Sequence, residues 1–331
     1  MFGQVSRGAN VSTVRNIVQT LRWPLTLTAS VGVAIALQST GLANPGSLAN
    51  PESLANLEST RADIDPFRTG ADARDMAPEI ARAMNTFFCR GDYVALEQQL
   101  EAARSVAPEE PMVYVAYSAL AYMNEDYDTI REMTGLTLDA AAGIKDEDPL
   151  RSHLYTGVGN GMRAATIVVN EGIAVGLPQA LPSINTMFSE FRTAQNMAPD
   201  DSEVNFFVGF IDLMMTRHDR ALTQFQTASS PQHMADWGQA LTYRDMGQYE
   251  EGLAAIERAL SSSCEHPEHY YLQAQLLRKL NRYEDSVAAF DRSLASADMM
   301  PEGLVSQISR ERERTYNRLQ AARRETASAQ Q

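Results

Sequence analysis

One pattern occurs twice, 34 residues apart, toward the C-terminal end of this chain. Gly247, Tyr249, Glu250, Leu253, Ile256, Ala259 and Leu260 lie over Asn281, Tyr283, Glu284, Val287, Phe290, Ser293 and Leu294. The two sets agree in character: a turn residue, an aromatic–acidic pair, then small and apolar residues at helical spacing. A period of this length describes two antiparallel helices, a unit that cannot bury its apolar face alone. Stacked copies supply the missing cover, so the chain is committed to an all-α array in which each pair contacts its neighbours.

The period extends upstream with decreasing fidelity. Residues 77–110 carry Asp92-Tyr93 at the helix–helix turn, and 111–144 repeat it as Asp126-Tyr127. Phe191, Ala194 and Pro199 close a unit at 168–201, and 202–232 carries Val208-Gly209, Ala221, Phe225 and Ala228. Between them the register fails. Lys145-Asp-Glu-Asp-Pro149 reads as a polar turn opening a helix, and Gly157, Gly159, Gly161, Gly172 and Gly176 follow. This string lacks the Lys-Ser/Thr of a phosphate loop and the strand of a dinucleotide fingerprint. It reads instead as a long inserted helix at about 150–176 that packs closely through its glycines, with Pro178 and Pro182 at its exit and a bend or a change in superhelical pitch expected in this region. Beyond residue 300, Leu304, Ile308, Tyr316 and Leu319 share one side and arginines stand elsewhere. That pattern suits a capping helix and tail over 301–331.

The N-terminus differs in kind. No acidic residue precedes Glu52, and Arg7, Arg15 and Arg22 lead into an uncharged run with its apolar heart at Leu25–Leu37. Residues 1–43 therefore read as a signal peptide ending near Ala43, the apolar part being short for a membrane span, or as a retained N-terminal anchor, the basic stretch before it being long for a signal. Next come Ala43-Asn-Pro-Gly-Ser-Leu48 and Ala49-Asn-Pro-Glu-Ser-Leu54, so residues 44–75 read as a flexible linker and 76–300 as the array. The expected location is the periplasm or a lumen, with a membrane tether only if residues 1–43 remain. A net charge of −14 argues against nucleic acid as a partner. The two cysteines, Cys89 and Cys264, fall near opposite ends of the array, so free thiols are expected.

Few residues suggest chemistry. Cys264-Glu-His266-Pro-Glu-His269 offers soft ligands, but Pro267 interrupts it and no second ligand pair is evident. There is no nucleophile elbow and no His-Glu-x-x-His helix, so no catalytic residue, metal or cofactor is assigned and an enzyme is not expected.

With Tyr-Glu-x-x-Leu at 249–253 and Tyr-Glu-Asp-Ser-Val at 283–287, the chain resembles the tetratricopeptide repeat (TPR) family. The signal, the glycine-rich helix, Ala198-Pro-Asp-Asp-Ser-Glu-Val-Asn205 and Pro267-Glu-His-Tyr-Tyr-Leu272 further resemble an exported TPR family of cyanobacteria with no established activity. The resemblance implies an all-α, right-handed solenoid of about five helix pairs with a C-terminal capping helix. It also implies that the fifth and ninth residues of each first helix face a concave groove. Here those positions hold Phe206 and Phe210, Trp237 and Leu241, and Tyr271 and Gln275. Aromatic residues at helical spacing also suit a core, but Val208, Phe225, Leu253, Ile256 and Phe290 already take the core positions. The family's carboxylate clamp needs Lys and Asn at the groove positions, which are absent. The expected function is an exported scaffold that holds a protein or peptide in its groove, supporting an envelope or lumenal complex. The alternative is a protein that binds a small ligand or cell-wall fragment on the same aromatic ladder.

Overall fold

The computed structural model describes residues 65–68 and 74–329. The signal or anchor and the repeated hexads lie outside the described residues. Twelve α-helices follow in order among the described residues, with no β-strand. They are α1 (Pro78–Asn85), α2 (Tyr93–Val106), α3 (Pro111–Met123), α4 (Tyr127–Gly143), α5 (Pro149–Met197) and α6 (Ser202–Met214). After them come α7 (His218–Thr227), α8 (Gln232–Met246), α9 (Tyr249–Leu260), α10 (Pro267–Lys279), α11 (Tyr283–Leu294) and α12 (Glu302–Ala329).

Local chemistry sets the helix starts. Asp92, Asp126, Asp148 and Asp201 each accept a hydrogen bond from the backbone N–H three residues on, at the starts of α2, α4, α5 and α6. Each such cap is worth about 1 kcal/mol against alanine. Pairing then follows the period: α3 packs on α4, α6 on α7, α8 on α9 and α10 on α11. Phe225, Ile256 and Phe290 are fully buried at the joints. Phe225 fits because Gly209 and Gly238 leave room, a Cβ at Gly238 falling only 2.5 Å from its ring.

The long insertion is itself a helix pair. Gly172 has φ 72° and ψ 168°, a conformation open essentially to glycine alone, and the chain reverses there. The arm after Gly172 returns along the arm before it: a Cβ at Gly157 would stand 2.7 Å from Phe191, and one at Gly161 3.0 Å from Met187. The solenoid therefore has six helix pairs where the sequence suggested about five. By length and composition alone α5 could cross a membrane, yet it folds back on itself at Gly172.

Two expectations fail, and for one reason: the array curls until its ends meet. Cys89 and Cys264 are not free thiols but form a disulfide, with Cα atoms 4.7 Å apart across 175 residues of sequence. Further contacts cross the same seam. His233 Nε2 lies 2.8 Å from the Phe88 carbonyl oxygen, Tyr93 donates to Glu268, and a Cβ at Gly91 would strike the His266 ring at 2.8 Å. Nor is the segment before α1 a free linker up to residue 75. Phe67 is 3% exposed, with its ring 5.2 Å from both Phe88 and Phe206. An apolar ring followed by two arginines with buried carboxylate partners docks this segment on the array.

At the C-terminus, α12 packs on α11. Its buried face is Gln307, Ile308, Glu311 and Thr315, while Tyr316 is exposed. Arg312 pairs with Asp291 and Arg323 with Glu284, so part of the arginine cluster clips the cap to α11.

Candidate functional site

Curling the array into a ring encloses a chamber of about 530 Å³. Its wall is built mostly from the first helices of the pairs and the turn that bears Cys89, with Tyr93, Tyr127, Ile130, Ile184 and Met187 added from second helices. The wall includes Phe206, Phe210 and Trp237, on α6 and α8. Phe206 stands 4.9 Å from Phe210, which stands 5.6 Å from Trp237, ring centre to ring centre. Beyond Trp237 the line continues to His269 at 6.4 Å and to His266, stacked at 5.0 Å. From His266 it crosses the seam to Tyr93 at 6.0 Å and then to Phe87 at 6.4 Å. Phe87 lies 4.9 Å from Phe88, which returns to Phe206 at 6.0 Å. Eight rings thus form a closed circuit, and all eight line the chamber.

The six groove residues named from sequence are divided by this geometry. Phe206, Phe210 and Trp237 are brought together on the chamber wall. Leu241 is buried, packed within the core. Tyr271 is buried against the cap, donating to Glu311 at 2.7 Å and accepting from Gln307 at 2.7 Å. Gln275 accepts from Arg244 at 2.9 Å. On α10 it is His269, two residues before Tyr271, that lines the chamber. The cap explains the change: α12 occupies the place of a next repeat, so Tyr271 becomes a joint residue. Phe87, Phe88 and Tyr93 could not be assigned from a repeat pattern, because they reach the chamber only through ring closure. The one signal was an aromatic pair directly before a cysteine.

The rest of the wall is mostly apolar, with hydroxyls from Ser118, Tyr122, Tyr127 and Thr166 among it. Six methionines contribute, Met112, Met162, Met187, Met214, Met215 and Met234, and no Asp, Glu, Lys or Arg is among the lining residues. The hairpin tip reaches the rim, with Val168 and Val169 on the wall and Val169, Ile173 and Val175 exposed.

The three histidines at the seam are buried and neutral. Burial lowers the pKa of His233, and it lowers His266 to about 4. Burial, then His266 and His233 nearby, brings His269 to about 2. Cys264 is spent in the disulfide and is no thiolate ligand. Among the described residues no group of three or more His, Cys, Asp or Glu side chains is arranged to hold a metal ion.

Charge is gathered elsewhere, where α3, α5 and α6 begin. Arg151 donates to Glu110 at 2.5 Å and to Glu203 at 3.1 Å, and Tyr155 donates to Glu203 at 2.5 Å. Arg68 reaches Glu203 at 2.5 Å and Asp201 at 3.2 Å, while Arg74 joins Asp65 at 3.0 Å and Glu110 at 2.9 Å. Burial alone would push the Glu203 carboxyl up, but Arg151 and Arg68 outweigh it and hold it at about 2. A carboxylate so low and so fully donated to is no general base near neutral pH. The cluster clamps the N-terminal segment to the ring.

Residues 238–299 match the family model for the tetratricopeptide repeat. No curated protein sequence matches the chain at a significant level. Among solved structures, PilW, a widely conserved type IV pilus biogenesis factor, is 17% identical, with 66% of this chain and 92% of that one covered and a TM-score of 0.42. A tetratricopeptide repeat protein from Parabacteroides merdae is 15% identical, covering 74% and 91%, with a TM-score of 0.37. The TPR2AB domain of yeast Sti1, in a complex with pHSP90, is 14% identical, covering 72% and 96%, with a TM-score of 0.32. Likenesses this loose carry no argument beyond the helix pairs already described.

Proposed function

We propose that this tetratricopeptide-repeat chain is an exported scaffold that holds its partner by an apolar part inserted into the ring. Repeats of this type generally serve protein interaction and not catalysis, which supports a polypeptide partner. The observation that carries the reading is the chamber: an aromatic circuit and six methionines around about 530 Å³, with no charged side chain on the wall. Aromatic anchors dominate binding energy where they occur, and methionines let a wall adapt to what enters. Export is supported by the basic, acid-free N-terminus and by the Cys89–Cys264 disulfide, since such bonds persist in oxidising compartments.

The test is capture from the soluble envelope fraction of the producing organism, with the full chain beside Trp237→Ala. A protein retained only by the unmodified chain supports the reading. Retention of the same proteins by both versions moves the partner to the outside of the ring. Thiol alkylation of intact cells tests export: both cysteines should resist labelling until reductant is added.

A second reading, capture of a small apolar ligand, is favoured by one specific observation. The groove does not run on past His266 and His269 toward the cap, because Tyr271 is engaged with α12 and Gln275 with Arg244, and the first pair closes the opposite side. The chamber volume falls within the range of about 300–1,000 Å³ common for small-molecule sites. A cell-wall fragment, rich in hydroxyls and charge, matches this wall poorly.

A further inference from the structure

Two polar groups on the chamber wall are buried with no hydrogen-bond partner among the described residues. One is Trp237 Nε1, and the other is the His269 imidazole, in which both nitrogens are unpaired. The two rings lie 6.4 Å apart, one on α8 and the next on α10. An orphaned buried group costs about 1–3 kcal/mol, so two side by side in a mostly apolar wall call for an explanation. His266 beside them differs: its Nδ1 accepts from the Glu268 N–H at 3.3 Å.

The donor set limits what could pair with them. An indole N–H only donates, while a neutral imidazole donates from one nitrogen and accepts at the other. The matching group is an oxygen that accepts from Trp237 and either accepts from or donates to His269, which means a carbonyl or a hydroxyl. A carboxylate or a phosphate would enter with no cation on the wall to meet it, and burying such a charge unpaired is costly. Most of what else lines the space favours hydrocarbon, and the Ser118 and Thr166 hydroxyls are already donated to backbone carbonyls of their own helices.

We infer that the chamber binds a neutral, mainly hydrocarbon molecule bearing one hydroxyl or carbonyl oxygen, the hydrocarbon resting on the aromatic circuit and methionines and the oxygen reaching Trp237 Nε1 and His269, whose nitrogens carry no exposed surface in this structure, through a small shift of the wall. This rests on the small-ligand reading of the chamber and names the chemistry of its ligand.

The sequence provides its own probe. The chain has two tryptophans, Trp23 and Trp237, and Trp237 is on the wall, so the full chain carrying Trp23→Phe reports the site by fluorescence. Three ligands of one chain length are titrated at pH 8: 1-decanol, decane and decanoate. The expected result is saturable binding of decanol, about tenfold tighter than decane, as one or two neutral hydrogen bonds provide. Decanoate should bind at least as weakly as decane. In the His269→Phe version the alcohol-over-hydrocarbon ratio should fall from about ten to near one. The three-ligand comparison on the unmodified wall needs no variant at the site, so misfolding of His269→Phe would not spoil it. Equal affinity for decanol and decane would overturn the inference and leave the small-ligand reading standing. Decanoate binding as tightly as decanol would overturn the requirement for neutrality. No saturable signal from any of the three would overturn the small-ligand reading, and the inference with it.

Discussion

The joints between consecutive helix pairs and the seam that closes the ring solve the same problem by different means. At a joint, such as that between α8–α9 and α10–α11, large apolar side chains fill space left by small ones, with the His233–His269 ring contact, the Arg244–Gln275 hydrogen bond and Lys279 over Tyr249 beside them. Ile256 and Phe290 are fully buried there, with Ala255, Ala259 and Ala274 about them. At the seam, the turn between α1 and α2 and the start of α2 meet the start of α10 and His233 of α8 through a disulfide, the His233–Phe88 contact, the Tyr93–His266 ring contact and the Tyr93–Glu268 hydrogen bond. A joint is made between neighbours in sequence and needs only surface burial. The seam joins positions 175 residues apart, and the loop entropy of that closure grows with length. A covalent bond offsets that entropy without requiring a large interface.

The contrast can be tested in order of effect. Replacing both cysteines with serine should cost about 5 kcal/mol in the chain-entropy treatment of a loop this long, read by urea denaturation. The joints should survive, so far-UV helicity in the absence of denaturant should stay near its original value. A collapse of helicity would show that the joints depend on the seam. Phe290→Ala strikes a joint and should cost about 4 kcal/mol with the disulfide intact, by loss of burial and a cavity. A loss under about 1 kcal/mol would show the joint to be plastic.

Acid should separate the two further. His266 and His269 have folded pKa values of about 4 and about 2, below the ordinary value near 6.5. The unfolded chain therefore binds protons that the folded seam refuses, and stability falls as pH drops from about 6.5 toward 4. Glu203 adds a second loss lower down, from about 4.5 toward 2, as its carboxylate is protonated. In the cysteine-free chain, hydrogen exchange should rise first in α1, α2 and the start of α10 across the upper window, and the α8–α9 joint should stay protected. The smallest effect belongs to Tyr271→Phe, which removes a hydroxyl bonded to Glu311 and Gln307. It should cost about 1 kcal/mol and leave Trp237 fluorescence titrations unchanged, whereas an altered titration would return Tyr271 to the binding wall.

Helix pairing was legible because it is local. Asp-Tyr at the turns, aromatic–acidic starts and apolar residues at helical spacing each act within one unit or its neighbour, and the 34-residue period records them. Half of the candidate site was legible for the same reason, since Phe206, Phe210 and Trp237 sit at repeat positions that face inward whether or not the ring closes. Tyr271 was misleading because its position alone does not say that α12 will cover it. The hairpin in α5 was half visible: its glycines signalled close packing, but the partner proved to be its own continuation.

By itself the sequence determined an all-α array of stacked pairs, the cap at its end and an aromatic lining on the middle repeats. Tertiary structure alone decided that the array closes, that two cysteines expected to be free are joined, that Phe87, Phe88 and His269 share a wall with Trp237, and that Phe67 packs behind Phe88 and Phe206. Period and composition constrain each pair against the next, whereas closure depends on small angles summed over six pairs, and no single unit records that sum.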